Sequence, residues 1–407
     1  MTTMLQTVKR IACVSLASML LMAGCGNEKK TSSSKPERTQ PVTTAPVTTA
    51  EPTVASTGAA TVDNATAPRK YNFLAIKQKT DVICTNLENI ISDNHFQGAV
   101  YLKLGNDLEF SRCTGASDEV EHQNNSIHTY FNAGALTKHL TAAAVLKLSE
   151  EKKLSLSDKL DKYFKNCSYG SSVKIKDLLT MTSGVPSYTE FSESSGKLLL
   201  NSELDSKIKE NNSEEDNKSA VFKWILSQKI DGTPGAVYRY SDSDFFLLGK
   251  IIEQASGTSY TSYIKDNILK PLGVNHSGFK QPKSMASAYD DNDKVNKLTL
   301  EGVGYSALGF ITNISDTIRY IEGMFDESII NSDSLLDMHT PWKNGYGYGV
   351  KIDGDRITLN SQIGAFGTMI TYSTDESELF VAYSNYSSSD TYKLNTLFND
   401  YLSEFRI

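Results

Sequence analysis

Several kinds of residue are scarce in this chain. Its 407 residues include only five cysteines, too few for a disulfide-built scaffold, and no C-x-x-C pair to begin a zinc site. The six histidines, His95, His122, His128, His139, His276 and His339, form no H-x-x-x-H pair, so no metal and no cofactor is expected. Against 48 Asp and Glu stand 41 Lys and Arg, a net charge of −7, which lacks the basic excess of a nucleic-acid binder. There is no Walker loop. Proline is scarce too, with ten in all, but five of them fall between Pro36 and Pro68 and divide the chain into unlike parts.

What is present begins with an address. Lys9 and Arg10 precede the largely apolar stretch Ile11 to Ala23, thirteen residues long, which suits a secretory signal and is too short to cross a bilayer comfortably. It ends in Leu21-Met22-Ala23-Gly24-Cys25, which resembles a bacterial lipobox. The resemblance implies a signal peptide over 1–24 and a lipidated Cys25 that holds the protein on the extracytoplasmic face of the membrane. The plainer alternative is an ordinary signal peptide with an incidental cysteine. In that oxidising setting Cys84, Cys113 and Cys167 permit at most one intrachain disulfide, and the pair is left open. Residues 25–70 are rich in Thr, Pro, Ala and Ser with no apolar periodicity, so they read as a disordered linker.

One domain, 71–407, follows. Apolar residues from Phe73 to Ile91 keep helical spacing. Phe96–Leu104 and Leu108–Cys113 read as strands of a hairpin turning at Gly105-Asn106-Asp107. Leu136–Leu148 is apolar on nearly every side and predicts a buried helix. Helices are expected at Ile175–Thr180, Ser219–Gln228, Asp244–Ala255, Tyr260–Ile268 and Tyr392–Phe405, and strands at Gly347–Ile352, Gly367–Tyr372 and Leu379–Tyr383. That order predicts an α+β fold: an antiparallel sheet with flanking helices and an all-helical lobe. Gly304 to Gly309 is one residue too long for a G-x-S-x-G elbow and reads as a turn beside a helix.

The blocks Phe131-Asn132-Ala133-Gly134-Ala135-Leu136-Thr137-Lys138, Val173 to Pro186, Tyr240-Ser241-Asp242, Pro271-Leu272-Gly273 and Gly345 to Gly349 occur in order. Together they resemble the serine beta-lactamase and penicillin-binding-protein superfamily, in particular its class C beta-lactamase, D-Ala-D-Ala carboxypeptidase and esterase branch. The resemblance runs from Phe96 to about Asn385. It implies a beta-lactamase/transpeptidase-like fold with a cleft between sheet and helical lobe. It also implies an S-x-x-K serine and lysine at a helix start, a Y-x-N tyrosine facing them, and a K-T-G or H-x-G strand on the opposite wall.

This chain departs from that pattern. The serine position is Ala135, while Lys138 and Tyr240 are kept. The asparagine of Y-x-N is Asp242, which the family geometry would bring beside Lys138 as an ion pair. The third motif stands as Gln362-Ile363-Gly364. Other S-x-x-K patterns begin at Ser32, Ser149, Ser171 and Ser194, none before the buried helix. Thr137 adjoins Lys138, but neighbouring helical residues point about 100° apart. The reading is a pseudoenzyme that binds a peptidoglycan stem peptide, a related acyl compound or an envelope protein. Two alternatives stay open: an active D-Ala peptidase, esterase or beta-lactamase in which Ala135 is a deliberate replacement of serine or the nucleophile is displaced, and a purely structural spacer.

Overall fold

The computed structural model describes residues 70–192, 197–209, 212–290 and 302–407. The export signal, Cys25 and nearly all of the linker lie outside the described residues. The described part falls within a compact unit bounded by Val62 and Ile407.

Period-2 patterning and tight turns build one antiparallel sheet of six strands. β1 (Gly98–Leu104) and β2 (Leu108–Thr114) form the expected hairpin; β3 (Lys351–Asp353), β4 (Arg356–Ile363), β5 (Phe366–Ser373) and β6 (Glu378–Ser384) come from the far end of the chain. The order is β2-β1-β6-β5-β4-β3, so the first strand pairs with the last, from Gly98↔Ser384 to Leu104↔Glu378. Alternate residues serve opposite cores: Val100, Leu102 and Leu104 face one, Ala99 and Tyr101 the other.

The first core lies under α1 (Phe73–Gln78), α2 (Thr80–Asp93) and the C-terminal helix Thr391–Leu402. On the other face sits α3 (Leu136–Glu150), whose residues from Leu136 to Leu146 are all buried. Helices must surround it for that to happen; this side of the sheet carries α4 (Ile175–Leu179), α5 (Glu214–Ser227), α6 (Asp242–Ser256) and α7 (Ile314–Gly323), of which α6 packs directly on α3 and α7 meets it through Tyr320.

Some elements differ from the sequence reading. The first helix breaks at Lys79, the C-cap of α1, which has non-helical dihedrals. The helix begun at Tyr260 is α-helical to Ile264 and continues as a π-turn from Lys265 to Leu269. Of the strand expected at Gly347–Ile352 only Lys351 and Ile352 lie in β3, because Gly349 takes φ +77° and turns the chain against the Lys138 carbonyl. Strand β4 was missed: its apolar alternation, Ile357, Leu359 and Ile363, is interrupted by Ser361. Cys113 and Cys167 are free thiols.

Candidate functional site

Gly134 turns the chain into α3 at φ +40°, a left-handed value that favours glycine. Ala135 then stands at the N-cap with no side-chain oxygen to offer. One turn on, Lys138 is 2% exposed. Its ammonium lies 2.7 Å from Asp242 Oδ1, donates to the Ala307 carbonyl at 3.2 Å, and sits 5.3 Å from the centroid of the Tyr240 ring.

Asp242 is wholly buried in the first turn of α6, where a helix N-terminus favours a carboxylate. Its Oδ1 also accepts the Tyr240 hydroxyl at 2.9 Å, its Oδ2 accepts the Thr189 hydroxyl, and its amide donates to Ser187 Oγ at 3.1 Å. Both oxygens of the carboxylate are thus engaged. Tyr240 is half exposed. Its hydroxyl points inward, and desolvation together with the Asp242 charge holds its pKa well above the usual range. Nearby, burial pushes the Asp244 carboxyl well above its usual value, with the Asp177 and Asp242 charges adding to the shift while a hydrogen bond from Ser183 Oγ opposes it.

The third motif is where the strand register matters. Gln362 and Gly364 lie at the end of β4 and in the turn after it, Gly364 at φ +59°. A Cβ on Gly134 would overlap Ser361 Oγ and lie 2.9 Å from Ile363 Cδ1, so Ser361 and Ile363 are the residues of β4 that face the head of α3. Gln362, half-buried between them, is turned to the other side by strand alternation. Ser361 Oγ accepts the amide proton of Ala135 at 2.9 Å. Sequence reasoning passed over Ser361; the signal available was a polar residue at an apolar-phase position of β4.

Other candidate nucleophiles lie elsewhere. Thr137 Oγ1 accepts from the Phe310 amide at 3.0 Å, and Ser306, fully buried, donates to the Phe245 carbonyl at 2.9 Å. The segment from Gly304 to Gly309 forms a short helix, Tyr305–Leu308, and contributes the Ala307 carbonyl to Lys138. Ser149 is at the far end of α3 and Ser171 is exposed; Ser32 and Ser194 lie outside the described residues.

Comparison with known proteins agrees with this architecture. The Beta-lactamase family model matches residues 95–399. The chain is 24% identical over 307 residues to the protein PbpX of Bacillus subtilis (strain 168), covering 74% of this chain and 73% of that one. It is 31% identical over 233 residues to protein flp of Staphylococcus aureus (strain MRSA252), covering 56% of this chain and only 41% of that relative. FmtA from Staphylococcus aureus superimposes with a TM-score of 0.67 at 21% identity, over 83% of this chain and 92% of that one. With the six-stranded sheet, the buried α3 and a family match over most of its length, the chain belongs to the beta-lactamase family and has a serine-hydrolase fold of the penicillin-binding-protein type.

Proposed function

We propose that this chain is a catalytically degenerate member of the family, exported and anchored through Cys25. In this reading its site binds a cell-envelope ligand: a peptidoglycan stem peptide, a related acyl compound or an envelope protein. One observation carries the reading: a methyl group, that of Ala135, stands at the head of α3. Acyl transfer needs a hydroxyl to attack the acyl carbon, a base to take its proton and donors to hold the oxyanion. A methyl group offers neither lone pair nor proton. By analogy with a serine protease, loss of the nucleophile costs on the order of 10⁶ in turnover, about 8 kcal/mol of barrier.

The rest of the site supports the same reading. Lys138 is held by Asp242 and Ala307, so its protons are directed at groups of the protein itself. The half-exposed Tyr240 ring remains available to a ligand. For the ligand class, the support is that one solved relative in fold is a penicillin binding protein from Bacillus halodurans. For export, it is the Lys9-Arg10 start, the apolar run and the lipobox-like end.

A fluorescent penicillin tests the reading. No covalent labelling of the native protein is expected, whereas titration with soluble muropeptides is expected to give saturable binding. Stoichiometric labelling of the native chain overturns degeneracy, and absence of any saturable binding overturns the binding role. Anchoring is checked separately: Cys25→Ala is expected to move the protein from the membrane fraction into the medium. The rival reading, an active hydrolase with a displaced nucleophile, has one observation in its favour, the Ser361 hydroxyl bonded to the Ala135 amide.

A further inference from the structure

The amides that open α3 are not all satisfied in the same way. Those of Leu136, Thr137 and Lys138 close on the carbonyls of Ala133, Gly134 and Ala135, each at 3.0 Å. The Gly134 amide closes on Asn132 Oδ1 at 2.9 Å. The Ala135 amide alone in this group reaches out of its own segment, to Ser361 Oγ on β4, 226 positions along the chain. The approach is accommodated on both sides. Gly134 lacks the Cβ that would overlap Ser361 Oγ, and β4 directs Ser361 and Ile363 toward this spot. A backbone amide at the head of a helix is a donor suited to an anionic or carbonyl oxygen.

We infer that Ser361 is an internal occupant of this donor position, so that the site closes on its own strand where an acyl ligand's oxygen would otherwise sit. The inference rests on the degenerate reading and extends it: the missing nucleophile and the occupied donor are two separate blocks. Ser361 acts by position, through the Ala135 amide. Restoring a serine at 135 then removes only the first block, and a carbonyl-bearing ligand must compete with the Ser361 hydroxyl for the amide.

The test uses the full chain with Ser361→Ala, Ser361→Thr, Ala135→Ser and the double variant A135S/S361A. Hydrogen exchange of the Ala135 amide is the first readout and does not depend on any ligand. S361A is expected to speed that exchange about tenfold, as a single direct hydrogen bond is lost, while S361T, which keeps a hydroxyl, stays native-like. Fluorescent penicillin is the second readout. The double variant is expected to label faster than A135S, by up to about 10²–10³, the scale set by one oxyanion donor. Unchanged exchange in S361A, or equal labelling of A135S and A135S/S361A, overturns the inference and leaves the degenerate reading standing. Labelling of the native protein that maps to Ser361 overturns both, because Ser361 would then be the nucleophile.

Discussion

At the scale of single residues, Lys138 and Asp242 form a pair that water hardly reaches, with side chains 3% and 0% exposed. Taking both charges out of water is costly, and the cost is offset only because the carboxylate accepts from Lys138, Tyr240 and Thr189 together. Removing one partner leaves the other charge buried without its counterion. Lys138→Met and Asp242→Asn are each expected to lose about 3–5 kcal/mol of stability in urea unfolding. The double variant is expected to lose clearly less than the sum, since neither charge then remains. Additive losses would show that the two residues do not act as a pair. The same residues explain why motif matching reads this site only in part. The letters mark Lys138 and Tyr240 separately, but only the fold shows that both bond one carboxylate, that of Asp242.

Secondary-structure elements carry a second polar cluster, on the opposite face of the sheet. Arg356 of β4 lies 2.8 Å from Glu378 of β6 and donates to Thr371 of β5 at 2.8 Å. It also reaches Asn395 and Asn399 in the C-terminal helix at 3.2 and 2.6 Å. Tyr71 donates to the other Glu378 oxygen at 2.8 Å. Three strands and the last helix thus meet at one guanidinium, whose planar fork suits several acceptors at once, and Glu378 ties in the start of the domain through Tyr71. Arg356→Met is expected to lose about 3–5 kcal/mol in urea unfolding, because Glu378 is left buried and unpaired. Amides of the helix Thr391–Leu402 are expected to lose hydrogen-exchange protection first. A loss below about 1 kcal/mol would show that the cluster is dispensable.

Across the whole molecule, one buried chain of rings ties the helical lobe to the sheet. His139 of α3 bonds Tyr320 of α7 at 2.6 Å and Tyr372 of β5 at 2.8 Å, and Tyr372 bonds His339 at 2.9 Å. A neutral imidazole has one donor and one acceptor nitrogen, which is what two hydroxyl neighbours can satisfy. Burial, with His339 nearby, holds His139 well below its usual pKa, and burial lowers His339 to about 4. Unfolded histidines titrate near 6.5, so below that pH the unfolded chain binds protons that the folded one refuses. Stability is therefore fully present above about pH 6.5 and is lost as pH falls toward 4, at up to about 1.4 kcal/mol per unit for each histidine. The urea midpoint is expected to drop between pH 7 and pH 5, and His339→Gln to flatten part of that slope. A midpoint constant over this interval would refute the neutral network.

Much of this organisation was legible along the chain, and the reason is periodicity. The hairpin at Gly105, the all-round apolar α3 and the C-terminal amphipathic helix are local patterns, each set by how 3.6- and 2-residue repeats present apolar faces, whereas the ordered motif blocks were legible through resemblance to a known family. The acid at 242, which the family resemblance would bring beside Lys138, was likewise visible in the letters. Strand register and the meeting of distant segments were not, because no local pattern records which face of β4 turns toward a helix 226 positions away. A shift of one residue along that strand would bring Gln362 to the head of α3. The tertiary structure brings Ser361 there instead, with Gly134 leaving room for its hydroxyl, and so decides what the Ala135 amide touches.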